Sequence, residues 1–191
     1  MAGFQIHPLT IPGLMVVEPA VFGDERGYFM ETYNDKAFAE GGIDAVFVQD
    51  NQSMSKKGVL RGLHFQYTHP QGKLVRVLAG EVFDVAVDIR PDSPALGRWA
   101  GVRLSAENKK QFYVPPGFAH GFLVLSDEAV FAYKCTDYYH PEDEGGIAWD
   151  DPSVRVQWPL GGLSPVLSQK DREWGSLEDA VDRLKAKGER A

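Results

Sequence analysis

One cysteine, Cys135, is all the thiol in this chain of 191 residues. It permits no internal disulfide and cannot by itself make a cysteine-based zinc site, which fits a reducing compartment and makes the cytoplasm the expected location. Long apolar runs are missing as well. The stretch Val82 to Ile89 is cut by Asp84 and Asp88, well short of the roughly 20 residues that a bilayer span requires. No Lys or Arg precedes Arg26, and Pro8, Pro12 and Pro19 interrupt the N-terminal apolar stretch, so no targeting segment is expected. Positive charge is in deficit, with 20 Lys+Arg against 27 Asp+Glu and a net charge of −7. The overall field therefore opposes nucleic acid and anionic membrane, neither of which is expected as a partner, and an anionic ligand needs a local basic cluster. Neither a phosphate-cradling glycine loop nor a Rossmann fingerprint occurs, so no nucleotide cofactor is implied.

What is present reads as one globular domain over 1–191, with a core at about 12–172 and a helical tail at about 176–191. From Met15 to about Val156, short runs rich in Val, Phe, Tyr and Leu alternate with Gly, Pro, Asn and Asp clusters, the pattern of many antiparallel strands. The expected strands are Met15–Phe22, Tyr28–Tyr33, Ala45–Gln49, Val59–Gln66, Lys73–Leu78, Glu81–Ile89, Trp99–Leu104, Gln111–Val114, Gly121–Val124 and Ala129–Thr136. Without helices long enough for repeated βαβ crossovers, the fold class is all-β, a sandwich or barrel. Asn34 or Asp35 caps a short helix through Glu40 that ends at Gly41-Gly42, and Ser176-Leu-Glu-Asp179 opens a helix toward Lys187.

Polar residues concentrate inside strand-like sequence at Gln49-Asp-Asn51-Gln-Ser, at Arg61-Gly-Leu-His64-Phe-Gln66 and at Lys73. Basic and amide groups facing a barrel interior need partners, because an unpaired buried charge is costly. A ligand is the natural partner; exposed positions for Arg61 and Lys73 are the alternative. Strict alternation puts Arg61 and His64 on opposite faces of one strand, and Gly62 between them marks a bulge that re-aims one of the two. A rigid turn, Val114-Pro-Pro-Gly-Phe-Ala-His120-Gly, delivers His120 to the start of the next strand. Alternation after Phe131 places Tyr133, Cys135, Asp137 and Tyr139 on one face, where a lone cysteine is ordinarily a small buried hydrophobe. His7, His69 and His140 stand beside prolines and read as surface residues. Ser168 reads as the cap of a helix start.

Taken in order from about Pro12 to Arg172, the segments Phe22-Gly-Asp-Glu-Arg26-Gly-Tyr-Phe29-Met-Glu31, Gln49-Asp-Asn51, Leu60-Arg61-Gly-Leu-His64-Phe-Gln66, Gly72-Lys73-Leu-Val75, Pro115-Pro-Gly-Phe-Ala-His120-Gly-Phe122, Tyr133-Lys-Cys-Thr136, Ile147-Ala-Trp-Asp-Asp-Pro152 and Ser168-Gln-Lys-Asp171 resemble the dTDP-4-dehydrorhamnose 3,5-epimerase family. That resemblance implies a cupin-type jelly-roll β-barrel, a homodimer, and conversion of dTDP-4-dehydro-6-deoxy-D-glucose to dTDP-4-dehydro-L-rhamnose for rhamnose synthesis. It assigns His64 as base, Asp171 as the carboxylate partner of that histidine, Lys73 as stabiliser of the C4 enolate and Tyr133 as acid on the far side, with Lys73 near enough to ease loss of the phenol proton. His120 then assists substrate binding. Arg26, Arg61 and Lys170 contact substrate, Glu31, Gln49 and Asn51 offer hydrogen bonds to nucleotide or sugar, and Glu144 and Asp84 are carried over with them. The N-terminal strands carrying Arg26, Phe29 and Glu31 are expected to pair across subunits.

Cupins often bind a metal through two histidines and a glutamate in a first motif and a histidine in a second. Here the position two after His64 is Gln66, and Lys73 stands where the acidic ligand belongs. A cation repels a divalent ion, and two imidazoles without a carboxylate make a poor site, so neither metal nor cofactor is expected. A single-site epimerase of a related 4-keto nucleotide sugar, a metal-dependent cupin isomerase or oxygenase, and a non-catalytic sugar-binding jelly roll stay open as alternatives. A base and an acid on opposite faces favour an enzyme over a binding module.

Overall fold

The computed structural model describes residues 3–188. In chain order its elements are β1 (Phe4–Pro8), β2 (Met15–Pro19), β3 (Val21–Asp24), β4 (Gly27–Met30), α1 (Asp35–Glu40), β5 (Gln49–Lys56), β6 (Leu60–Gln66), β7 (Lys73–Ala79), β8 (Glu81–Asp88), β9 (Trp99–Ser105), β10 (Gln111–Val114), β11 (Phe118–Val124), β12 (Glu128–Cys135), β13 (Glu144–Gly146), α2 (Gln169–Glu173) and α3 (Leu177–Gly188). One sheet runs β1-β2-β10-β7-β12-β5, a second β13-β6-β11-β8-β9, and β3 with β4 makes a separate two-stranded ribbon. The two large sheets form an all-β barrel of the cupin type. No helix among the described residues is long and apolar enough to cross a membrane.

Alternation decides what fills the space between the sheets. Val75, Val77 and Phe131 of the six-stranded sheet meet Val82, Ala86, Phe118 and Phe122 of the five-stranded one. The five-stranded sheet is covered on its outer face too, where Leu63, Phe65, Val85, Val87 and Ala119 pack with Leu177, Ala180 and Val181 of α3. Two buried faces explain why β8 reads as a nearly continuous apolar run. The six-stranded sheet is covered at one end by α1, whose Phe38 packs with Val17, Leu74 and Tyr113. Elsewhere its outer face is an open groove of about 450 Å³ lined by Asp50, Gln52, Arg76, Leu78 and Lys134.

Caps sit where the sequence predicts them. Asn34 Oδ1 accepts from Ala37 N–H at 3.1 Å, and Ser176 Oγ accepts from Asp179 N–H at 3.1 Å while donating to its carboxylate at 2.6 Å. Residues 189–191 of the expected helical tail lie outside the described residues.

Several strand boundaries differ from expectation. The strand expected at Ala45–Gln49 is absent, and β5 begins only at Gln49. Val46 and Val48, whose side chains suggested it, are exposed. Met15–Phe22 breaks at Ala20 into β2 and β3, and Tyr28–Tyr33 ends at Met30. β11 starts at Phe118, so His120 is its third residue rather than a strand start. β12 ends at Cys135, which leaves Asp137 and Tyr139 in the following loop and off the face of Tyr133. β1 and β13 were not expected; β13 is a three-residue strand, Glu-Gly-Gly, with no periodicity to betray it.

Candidate active site

The site is built around a fault in the β6–β11 ladder. His120 pairs with His64 and Phe122 with Arg61, so three steps along β6 match two along β11. Gly62 occupies the fault at φ +136°, and a Cβ there would stand 2.6 Å from the Gly121 Cα. Only a glycine tolerates both conditions. The consequence is the re-aiming that the sequence predicts: Arg61 and His64, three residues apart, both line one cavity of about 160 Å³. Lys73, His120, Phe131 and Tyr133 line the same cavity.

His64 projects from the five-stranded sheet, and its Nε2 lies 2.5 Å from Asp171 Oδ1. Asp171, 107 residues further along, arrives on α2, where Ser168 caps the helix and donates to Asp171 Oδ2 at 2.7 Å. Burial opposes ionisation of Asp171, but the hydrogen bonds from His64 and Ser168 outweigh it and hold the carboxyl at about 2. An ionised acceptor on Nε2 fixes the proton there and leaves the Nδ1 lone pair as the basic site of the ring. Trp174 meets the His64 ring edge-on, with centroids 6.0 Å apart. No sequence signal marks Trp174 for this place.

Across the cavity stand two residues of the six-stranded sheet, Lys73 at the start of β7 and Tyr133 on β12. Lys73 makes no ion pair among the described residues. Burial pushes its ammonium down from the usual lysine value, partly offset by Asp84 and Glu144. The Tyr133 phenol is pushed up by burial and drawn back by Arg61, so it carries its proton at neutral pH. Arg61 thus acts as a cation on Tyr133, in the cavity that Lys73 also lines. Arg61 Nε in turn donates to Ser55 Oγ at 3.0 Å.

His120 does not point a free ring at the cavity. Its Nε2 is 2.8 Å from Asp84 Oδ1, deep in the barrel, and both residues are buried. The resemblance carried Asp84 over, but nothing in the sequence marked this pairing. Burial raises the Asp84 carboxyl above the ordinary range, against the pull of His120 and Lys73. With both Nε2 atoms taken by carboxylates and Lys73 alongside, the donor set does not suit a divalent ion.

The remaining expected residues divide into two groups. Gln49 and Asn51 sit on the inner side of β5, where Gln49 Nε2 donates to Asn51 Oδ1 at 3.1 Å and Asn51 Nδ2 reaches Cys135 Sγ at 3.6 Å. Cys135 is buried and its thiol is pushed up by burial, which keeps it protonated and unreactive. Glu144 joins Lys170 in an ion pair and accepts from the Tyr139 hydroxyl at 3.0 Å, grouping three polar side chains beside β6. By contrast, Arg26 and Phe29 are on the β3–β4 ribbon, away from this cavity. Arg26 pairs with Asp24 and its side chain is 84% exposed, Phe29 is 68% exposed, and Glu31 is engaged by Asn34 at 3.2 Å. Within one chain these three are not brought to the cavity.

A profile of the family described as dTDP-4-dehydrorhamnose 3,5-epimerase matches residues 8–179. A protein of that description from Methanothermobacter thermautotrophicus is 56% identical over 180 residues, covering 94% of this chain and 97% of the relative. Among solved structures, the dTDP-6-deoxy-D-glucose-3,5-epimerase of Legionella pneumophila Philadelphia 1, in complex with dTDP-4-keto-L-rhamnose, superposes with a TM-score of 0.91 at 55% identity, covering 95% of this chain and 96% of its own. A 3'-monoepimerase from Streptomyces bikiniensis, in complex with dTDP-quinovose, superposes with a TM-score of 0.86 at 34% identity, covering 94% and 90%.

Proposed function

The chain belongs to the dTDP-4-dehydrorhamnose 3,5-epimerase family and is an isomerase of dTDP-rhamnose biosynthesis, and we propose that it inverts C3 and C5 by proton transfer between His64 and Tyr133 through an enolate held by Lys73. The observation that carries this reading is the placement of His64 on one sheet and Tyr133 on the other, facing a single cavity. Inversion at a carbon α to a ketone needs exactly two such groups, because the proton must leave one face and return on the other.

In this scheme the Nδ1 of His64 takes the proton from the carbon, and Asp171, ionised and bonded to Nε2, stabilises the imidazolium that results. Negative charge then develops on the C4 oxygen. The Lys73 ammonium, which makes no ion pair among the described residues, stabilises that charge more than it does the ketone. The Tyr133 phenol delivers a proton from the opposite side, and Arg61 close to it favours the phenolate left behind. Arg61 and Lys170 supply the local cations that an acidic chain needs for a diphosphate, with Gln49, Asn51, His120 and Glu144 around the nucleotide and sugar.

The working unit in this reading is a homodimer. Phe22, Tyr28 and Phe29 on the β3–β4 ribbon are exposed by 49%, 60% and 68%, and Arg26 lines an open hollow on the ribbon itself, apart from the cavity of His64 and Tyr133. Exchange of the ribbon between two chains buries those aromatics and delivers Arg26 to the partner's site. A stable, fully active monomer by sedimentation contradicts this assembly.

The reaction is tested by supplying dTDP-4-dehydro-6-deoxy-D-glucose together with a reductase that accepts only the doubly inverted sugar. Sustained oxidation of the reductase's nicotinamide is the expected result. Solvent deuterium entering C3 alone, with no reduction, identifies a single-site epimerase instead.

A further inference from the structure

Two residues beyond His64 on the same strand, Gln66 is 4% exposed and uses its whole amide on backbone groups of two separate loops. Its Nε2 donates to His69 O at 2.7 Å and to Tyr138 O at 3.1 Å, and its Oε1 accepts from His140 N–H at 2.7 Å. The first loop, 67–72, leads directly into Lys73; the second, 136–143, carries Tyr139 and leads directly into Glu144. Further bonds run between the same loops: Gln71 Nε2 donates to Asp137 O at 2.8 Å, and Asp143 Oδ2 accepts from Thr68 N–H and His69 N–H at 2.7 and 2.8 Å. The His69 and His140 rings stack above the joint with centroids 4.2 Å apart. Gln66 is the member of this set that also belongs to the strand of the base.

We infer that Gln66 is a positioning residue for the reaction: it ties the two loops to the base's strand and so sets where Tyr139 and Glu144 stand relative to His64. This rests on the proposed function for what Glu144 contacts, and Tyr139 enters through the hydrogen bond that it donates to Glu144. Side-chain chemistry explains why an amide is needed. Two carbonyl oxygens and one N–H converge on it, and a neutral amide is the side chain that both donates twice and accepts. Glutamate keeps the size but sets oxygens against two carbonyls; methionine keeps the volume and removes the side-chain partner of three backbone groups. Lys73 is itself held in the β7 ladder between Val114 and Cys135, and His64 and Tyr133 lie within strands, so loss of the tie acts on binding and spares the chemical step.

The test uses the full-length protein as Gln66→Met and Gln66→Glu. In the absence of ligand, hydrogen exchange read by peptide is expected to rise in 67–72 and 136–143 while β11 stays protected in both variants. With the dTDP-4-keto sugar, KM is expected to rise about tenfold with kcat within about threefold of the parent, on the scale of lost hydrogen bonds. If Gln66→Met does not fold, Gln66→Glu carries both readouts. Unchanged exchange in the two loops, or a fall in kcat at unchanged KM, overturns the inference. The exchange readout needs no substrate, so an unmodified protein that leaves the sugar untouched overturns the proposed function, while raised exchange in the variants still shows the tie that Gln66 makes between the loops.

Discussion

Two histidine–carboxylate pairs lie side by side in this barrel, His64 with Asp171 and His120 with Asp84, and the two histidines are direct cross-strand partners. What separates the pairs is the second oxygen of each carboxylate. Asp171 Oδ2 is satisfied by Ser168, and the carboxyl is held low; Asp84 Oδ2 is buried without a hydrogen-bond partner among the described residues, and burial pushes the carboxyl up. The rings differ as well, since the His64 side chain is 26% exposed to the cavity and that of His120 only 8%. The same two residue types therefore make a proton acceptor with an anionic support in one place and a buried scaffold beside Lys73 in the other. Environment decides the role.

The largest effect expected to break that contrast is on turnover. His64→Asn should lower kcat by roughly 10²–10⁴, the usual loss on removing a general base, with the fold kept. His120→Asn should cost less than about tenfold in the same assay of coupled reduction. Equal losses would erase the distinction between the pairs. One step smaller, Asp171→Asn should lower kcat by about 10–100-fold, as expected for the partner that orients and supports a working histidine, whereas Asp84→Asn should stay within about threefold.

Stability separates the pairs by sign. Asp171 has a carboxyl lowered to about 2, so its contribution, roughly 2 kcal/mol, is present above the ordinary carboxylate range and is lost as pH falls from about 4 toward 2. Asp84 is raised, so the folded state binds its proton more tightly than the unfolded chain does, and its contribution declines as pH rises past the ordinary range. At pH 7, Asp171→Asn should therefore lower the Tm, and Asp84→Asn should leave it unchanged or higher. Thermal unfolding followed from pH 7 down to about pH 2 reads both, Asp84 above about pH 4 and Asp171 below it. The smallest effect is the remote one: Arg26→Ala on the exposed ribbon should raise KM several-fold without touching kcat, measured by the same coupled assay.

How much of this was legible in the sequence differs between the same regions. The extents of β7 and β8 and both helix caps follow from apolar runs and capping residues, but the hairpin that those two runs around Ala79-Gly80 suggest is instead a corner, since β7 and β8 lie in different sheets; the fault at Gly62 follows from a glycine between two polar residues of opposite parity. β5 was misplaced for a physical reason. Its inner positions Gln49, Asn51 and Ser53 look toward a polar cavity, so the strand lacks the apolar alternation that reveals its neighbours, while Val46 and Val48 imitate a strand in a loop. The pairing of His64 with Asp171 spans 107 residues and has no local signature; only the family resemblance supplied it. Neither periodicity nor resemblance pointed to the Asp84–His120 bond or to the ties made by Gln66, because both depend on register between strands distant in sequence.

The central claim is that base and acid act from opposite sheets, and Tyr133→Phe in D₂O tests it most directly. Removing the acid leaves His64 and its anionic support in place, so deuterium should still enter the sugar at the carbons α to the ketone while formation of the inverted product falls steeply. Inversion at the parent rate would show that Tyr133 is only a strand aromatic, and simultaneous loss of exchange and inversion in a folded variant would contradict the two-sided assignment.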